Sequence, residues 1–422
     1  MNIPKLRFPE FQDALEWEEK RLGDISDVRD GTHDSPKFYS KGKPLITSKN
    51  LGEDGLLDRD NVSLICEEDY DKFSKRSGVK IGDILFGMIG TIGNPVLLQS
   101  EGFAIKNVAL IKQKQELLNI YLLQLLNSRY IAEKFNVLNT GNSQKFIALG
   151  QIRNLEIPLP ELLEQQKIAN CLSSLEEVIT AQSQKLEGLK THKKGLMQQL
   201  FPAEGESVPK LRFLEFGDAG DWEEKKLGII SEIVRGGSPR PIEDFITSDV
   251  KGLHWLKIGD VNPESKYITQ TRERVIKAAL TKTRVVSPGD LILSNSMSFG
   301  RPYILKIESC IHDGWIAVTN ISIEVITDYL YYLISSDSCQ NYFVDNAAGA
   351  VVQNLNADII KKLPVLIPSL LEQQKIADCL SSLEELIAAQ TQKLETLKTF
   401  KKGLMQQLFP APDDLENATE QP

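Results

Sequence analysis

The stretch LLEQQKIANCLSSLEEVITAQSQKLEGLKTHKKGLMQQLFP, Leu162 to Pro202, returns as LLEQQKIADCLSSLEELIAAQTQKLETLKTFKKGLMQQLFP, Leu370 to Pro410, with 35 of 41 positions identical. Each copy carries a heptad period. In the first copy Ile168, Leu172, Leu175, Ile179, Leu186, Leu189, Leu196 and Leu200 fall on one narrow seam, and in the second Ile376, Leu380, Leu383, Ile387, Leu394, Leu397, Leu404 and Leu408 do the same. Pro160 and Pro202 bracket one helix, Pro368 and Pro410 the other, as suits a residue tolerated only at helix ends. A stripe this narrow is best buried against a second stripe of its own kind, so the two helices are expected to pair as a coiled coil. Separate amphipathic helices, each docked on its own core, are the alternative, although such helices show a wider apolar face. Gln182, Gln390, Lys193 and Lys401 interrupt the seam, and a lysine there can snorkel to water. Of the two directions of pairing, antiparallel is the expectation.

Outward from the helices, a second repeat appears. PKLRFPEFQDALEWEEKRLGDIS from Pro4 recurs from Pro209 as PKLRFLEFGDAGDWEEKKLGIIS, with 17 of 23 positions identical. The stretches between the repeated pieces diverge but keep a skeleton: Gly82-Asp83-Ile84-Leu85, Gly93 and Pro95 align with Gly289-Asp290-Leu291-Ile292, Gly300 and Pro302. Short β-rich runs punctuated by Gly, Pro and Asn surround one helical stretch near Asn119 to Phe135, which makes each variable half an α+β domain. The expected organisation is a first domain over 1–160, a helix over 161–202, a linker over 203–208, a second domain over 209–368, a helix over 369–410 and a disordered tail over 411–422. The expected fold is therefore two similar α+β globular domains joined by two long helices in an antiparallel intramolecular coiled coil, with a pseudo-twofold relation between the halves.

Composition narrows what such a chain can do. At 422 residues with 41% hydrophobic side chains there is apolar material for two or three cores. A formal charge of -9 opposes a generic, charge-driven coat for nucleic acid. Five scattered cysteines without a CxxC pair indicate a reducing compartment and no zinc site, and no apolar run reaches a membrane span, so a soluble cytoplasmic protein is expected. The glycine run Gly87, Gly90, Gly93 matches neither GxGxxG nor a P-loop, and its aligned partner keeps only Gly300, so it reads as a turn. No constellation suited to catalysis, metal or cofactor binding emerges.

What remains is a set of polar loops. In the first half they offer Thr32, His33 and Lys37; Ser48, Lys49 and Asn50; and Asn142, Gln144 and Lys145. In the second half they offer Arg235, Ser238 and Arg240; Asn295, Ser296, Ser298 and Arg301; and Gln353 and Asn354. Arg and Lys suit guanine O6 and N7, Asn and Gln suit adenine N6 and N7, and further lysines neutralise phosphates, so these are candidate DNA contacts. Ordinary polar loops are the plain alternative.

The whole chain resembles the specificity (S) subunits of type I restriction-modification systems. Two divergent domains are each followed by a near-identical helix that opens on an LPxLxEQxxIA-like stretch, here Leu159 to Ala169 and Ile367 to Ala377, and the PKLRF and GDIL or GDLI segments are also similar to that family. The resemblance implies a non-catalytic subunit in which each domain reads one half of a bipartite, asymmetric site in double-stranded DNA. It further implies helices that set the unread spacer and dock two DNA methyltransferase (M) subunits, restriction (R) subunits in the larger complex, and AdoMet and ATP bound by those partners. A coiled-coil scaffold with two protein-binding heads, or a metal-dependent nuclease, are the competing functions.

Overall fold

The computed structural model describes residues 3–90, 92–138, 146–295, 300–347 and 355–410, and the candidates Asn142, Gln144, Lys145, Ser296, Ser298, Gln353 and Asn354, like the tail, lie outside them. Both repeated segments form unbroken 39-residue helices, Leu162–Leu200 and Leu370–Leu408. The chain divides into two compact units, one of Met1–Ser183 with Gln392–Pro422 and one of Gln184–Thr391. Each unit thus takes half of each long helix.

In the first unit, an antiparallel sheet runs in the order Ser26–Asp30, Val108–Gln113, Ile84–Gly87, Gly93–Leu97. Its central strands alternate between two cores, which explains why they read as continuous apolar runs rather than polar-apolar alternation. Ile84, Phe86, Ala109 and Ile111 face a core shared with the helices. Leu85, Val108 and Leu110 face a second core that also takes Ile46 and Phe103. A smaller sheet orders Ser63–Ile65, Lys43–Ile46 and Ala104–Ile105, the last two parallel. The helical stretch expected as one piece is two helices, Asn119–Leu126 and Arg129–Leu138. The break falls where the Ser128 hydroxyl donates back to the Leu125 carbonyl, a local bond that competes with helix continuation.

The second unit repeats this plan with longer sheets. Glu232–Arg235, Trp315–Thr319, Leu291–Ser294, Pro302–Leu305 and Tyr267–Ile268 make one five-stranded sheet. Again Leu291, Leu293, Ile316 and Val318 face one core while Ile292, Trp315 and Ala317 face another.

Each repeat is closed on itself by a two-stranded clasp: Glu18–Arg21 pairs antiparallel with Glu156–Leu159, and Glu223–Lys226 with Pro364–Ile367. Beside the clasp, Arg7 donates to both carboxylate oxygens of Glu164 at 2.7 and 2.8 Å, and Arg212 does the same to Glu372 at 2.7 and 2.8 Å. The neighbouring Gln165 bonds the backbone of Pro160, Glu116 and Leu118; Gln373 bonds that of Pro368, Glu324 and Ile326. The identity of PKLRF and LLEQQ in both copies is thereby accounted for: they are two sides of one joint.

Within each unit the half-helices run antiparallel. In the first, the strand of chain that places Arg7 on Glu164 also bonds Leu6 N–H to the Gln407 carbonyl, and further along the helix Glu176 meets Lys401. In the second, Arg212 sits on Glu372, Leu211 N–H bonds the Gln199 carbonyl, and Glu384 meets Lys193 at 2.5 Å. Ile168 and Leu172 are buried with Leu408, and Ile376 and Leu380 with Leu200. Of the remaining seam positions, Ile179, Leu186, Leu383 and Leu394 are buried, and Leu175, Leu189, Leu196, Ile387, Leu397 and Leu404 are half-buried. The seam lysines do not reach out to water: each is paired with a glutamate of the opposing helix.

Candidate nucleic-acid interface

The polar loops acquire geometry from a shared backbone frame. In the first unit the strand Ser26–Asp30 ends on Gly31, whose N–H bonds Val108 O at 2.9 Å, and Thr32 N–H bonds Ile105 O at 2.9 Å. In the second, Gly236 N–H bonds Trp315 O at 2.9 Å and Gly237 N–H bonds Ile311 O at 3.1 Å. A Cβ on Gly31 would strike the Ile105 carbonyl, and one on Gly236 the carbonyls of Ile311 and His312. Glycine is therefore needed for the chain to pass this close to the facing loop.

Around this frame the first unit places Thr32, buried, its hydroxyl accepting from Asp34 N–H, and His33, whose ring lies 3.0 Å from Asn107 Oδ1 and 2.8 Å from Asp30 Oδ2. Asp30 is also paired with Arg76. Burial opposes ionisation of Asp30, but His33 and Arg76 outweigh it and hold the carboxyl below its ordinary range. Ser48 is buried against the Asn107 carbonyl. Lys37 and Lys49 are exposed.

Asn50 has a different task. Its Oδ1 accepts from Thr47 N–H and Oγ1 at 2.9 Å each and its Nδ2 donates to Asn61 O, so its amide is used inside the fold. Asp260 makes the same cap on Lys257 N–H in the second unit.

In the second unit four of the expected residues gather on one that sequence reasoning passed over, Asp313. Ser238 Oγ donates to Asp313 Oδ1 at 3.0 Å, Arg235 Nε and Asn295 Nδ2 donate to its carbonyl at 3.1 and 3.0 Å, and Arg240 Nη2 stands 3.7 Å from Oδ2. His312 Nε2 lies 3.0 Å from Asp313 Oδ1 as well. Asn295 is buried, whereas the Arg240 side chain is 83% exposed. Arg301 lies apart from this cluster's bonds, its guanidinium 5.8 Å from the Tyr303 ring centre. Asn107, His312 and Asp313 went unread because they face the Gly31 and Gly236 turns from 70 or more positions further along the chain, and Asp30 because it ends the strand before a polar run. Among the described residues no group of three or more His, Cys, Asp or Glu could hold a metal ion, and no helix is long and apolar enough to cross a membrane.

The sequence matches the model of the type I restriction modification DNA specificity domain twice, over residues 14–191 and 219–399. The chain is 25% identical over 421 residues to the type I restriction enzyme MjaVIII specificity subunit of Methanocaldococcus jannaschii, covering 96% of this chain and 93% of that one. Among solved structures it is similar to a chain from a study of complex assembly and conformational transition of the type I R-M system, with a TM-score of 0.60, 18% identity and coverage of 94% and 98%. It is similar also to the type I restriction-modification S subunit from M. genitalium, with a TM-score of 0.59, 16% identity and coverage of 97% and 100%.

Proposed function

The chain belongs to the type I restriction-modification DNA specificity family, as a specificity subunit with two target-recognition domains, and from that premise we propose how its parts divide the work. Each head reads one half of a bipartite, asymmetric site in double-stranded DNA. The single observation that carries this reading is the duplicated frame: the Gly31 and Gly236 turns share their backbone bonds while the side chains mounted on them differ. A scaffold made twice with different polar fingers suits a molecule that must recognise two unlike sequences by one mechanism.

The near-identical helices are the natural docking ground for two copies of one partner, here two DNA methyltransferase subunits, with restriction subunits joining the larger complex in the cytoplasm. AdoMet and ATP belong to those partners, and the chain itself performs no chemistry. The helices run unbroken from one unit into the other and set the gap between half-sites. An overall charge of -9 fits a reader that meets DNA inside an assembly rather than by bulk attraction. The test is to map methylated positions in genomic DNA from cells carrying this chain with its methyltransferase. A split motif with a fixed gap is expected; methylation without a two-part motif would reject the reading.

A further inference from the structure

We propose that, within the DNA-reading function just described and resting on it, the glycine turn and the loop facing it are the base-discriminating step of each head: His33 with Asn107 in the first, Arg240 with Asp313 in the second. Two kinds of repeated polar residue exist in these heads, and they separate cleanly. Asn50 and Asp260 occupy corresponding turns and do one internal job, capping the backbone at 2.9 Å in both. Such residues are spent on the fold. At the glycine step the backbone bonds are preserved, yet the chemistry changes at every surrounding position. The residue before the glycine is Asp30 in one head and Arg235 in the other, and the second residue after it is His33 in one and Ser238 in the other. The facing loop carries Lys106 and Asn107 in the first and His312, Asp313 and Gly314 in the second.

The groups at this step are also open to a ligand. The His33 side chain is 58% exposed and that of Arg240 83%, while Asp313 is held at 32% by bonds that fix its direction. At 3.7 Å the Arg240–Asp313 pair is too long for a hydrogen bond, so the guanidinium donors stay available beside a fixed carboxylate. A guanidinium meets guanine O6 and N7, and a carboxylate accepts from cytosine N4, so the two together match the major-groove edges of one G·C pair. In the first head a neutral amide at Asn107, braced by the His33 ring at 3.0 Å, suits adenine N6 and N7 instead.

The experiment uses the full chain with its methyltransferase subunits, selecting from a randomised duplex library, with wild type, Arg240→Gln, Asp313→Asn and Asn107→Asp compared. Arg240→Gln and Asp313→Asn should each lose about tenfold of the preference for G·C at one and the same position of one half-site, with the other half-site unchanged. Asn107→Asp should alter one position of the opposite half-site only. Arg240 is exposed and makes no hydrogen bond among the described residues, so its variant decides the matter if Asp313→Asn fails to fold. A wild-type chain that selects a split motif, with variants that keep every preference, overturns this placement alone. A wild-type chain that selects no split motif overturns the DNA-reading function and this placement with it.

Discussion

Two buried carboxylates carry the joint between each head and its helix. Glu164 and Glu372 are each 1% exposed, and each is neutralised by one arginine from a segment more than 150 residues away in the chain. Trp17 Nε1 adds a third donor to Glu164 at 3.0 Å. Hydrogen bonding to Glu164 outweighs burial and raises the Arg7 pKa, with the same balance at Arg212 and Glu372, so both guanidinium groups stay charged across the usable pH range. Removing the arginine strands a buried anion, which costs about 3–5 kcal/mol for a pair of this kind. Arg7→Ala and Arg212→Ala should each lower stability by about that much in urea unfolding, and Arg7→Lys should recover only part, because an ammonium cannot repeat the two-pronged contact. A loss under 1 kcal/mol in both alanine variants would mean that water reaches the carboxylates freely. The sequence made these residues conspicuous, since they recur in both copies, but not their partnership: no period or spacing links Arg7 to Glu164.

At the level of elements, the heptad was open to direct reading because its cause is local: seam residues must recur along one helix face whatever the partner is. Leu172 and Leu380, equivalent in the two copies, are both 0% exposed, whereas Leu189 and Leu397 are half-buried. Leu172→Ala and Leu380→Ala should therefore each cost about 3 kcal/mol, and Leu189→Ala and Leu397→Ala about 1 kcal/mol, by chemical denaturation. Equal costs at all four would contradict the graded burial. The lysines in the seam were less legible, because snorkelling and pairing leave the same mark on a sequence. In the second unit the pairing extends into the head. Lys193 meets Glu384 at 2.5 Å, Tyr332 donates to the same carboxylate at 2.6 Å, and buried Lys266 binds Asp328 at 2.5 Å and Tyr332 and Ser381 at 3.1 Å. Burial and then Glu384 push the Tyr332 pKa upward, so its hydroxyl remains a donor. Lys266→Met should cost about 1–3 kcal/mol, since it removes a buried donor shared by three acceptors, with Asp328 able to return to water; the measurement is the loss of stability of the second unit. The loops at the glycine turns were legible only in part: polar residues such as His33 and Ser238 stood out, but their partners Asn107 and Asp313 lie 74 and 75 positions away, and divergence between the two halves erases the repeat that guided everything else.

For the whole molecule, the decisive fact is that neither unit coincides with one sequence repeat: the first joins Met1–Ser183 to Gln392–Pro422, and the second, Gln184–Thr391, is continuous but begins inside the first repeat's helix. The core around Tyr121 in the first unit is completed by Leu404, Met405, Leu408 and Phe409, the Phe409 ring standing 5.9 Å from Tyr121. The second unit is completed in the same way by Leu196, Met197, Leu200 and Phe201, with Phe201 5.8 Å from Tyr329. Both closing segments read GLMQQLFP, Gly195 to Pro202 and Gly403 to Pro410. A fragment of residues 1–202 therefore lacks the piece its own core needs yet carries an identical piece at its end. Cutting the chain there exposes Tyr121 and its neighbours, and the most favourable way to bury them again is to borrow Leu196 to Phe201 from a second copy, which returns the favour. The expected outcome is a homodimer of the fragment in sedimentation analysis, and Phe201→Asp within it should shift the mass to monomer and lower stability. Because both heads of such a dimer are the same, its selected DNA should contain two copies of one half-site rather than two different ones. A fragment that stays monomeric and as stable as the first unit of the full chain would show that the closing segment contributes little to that core.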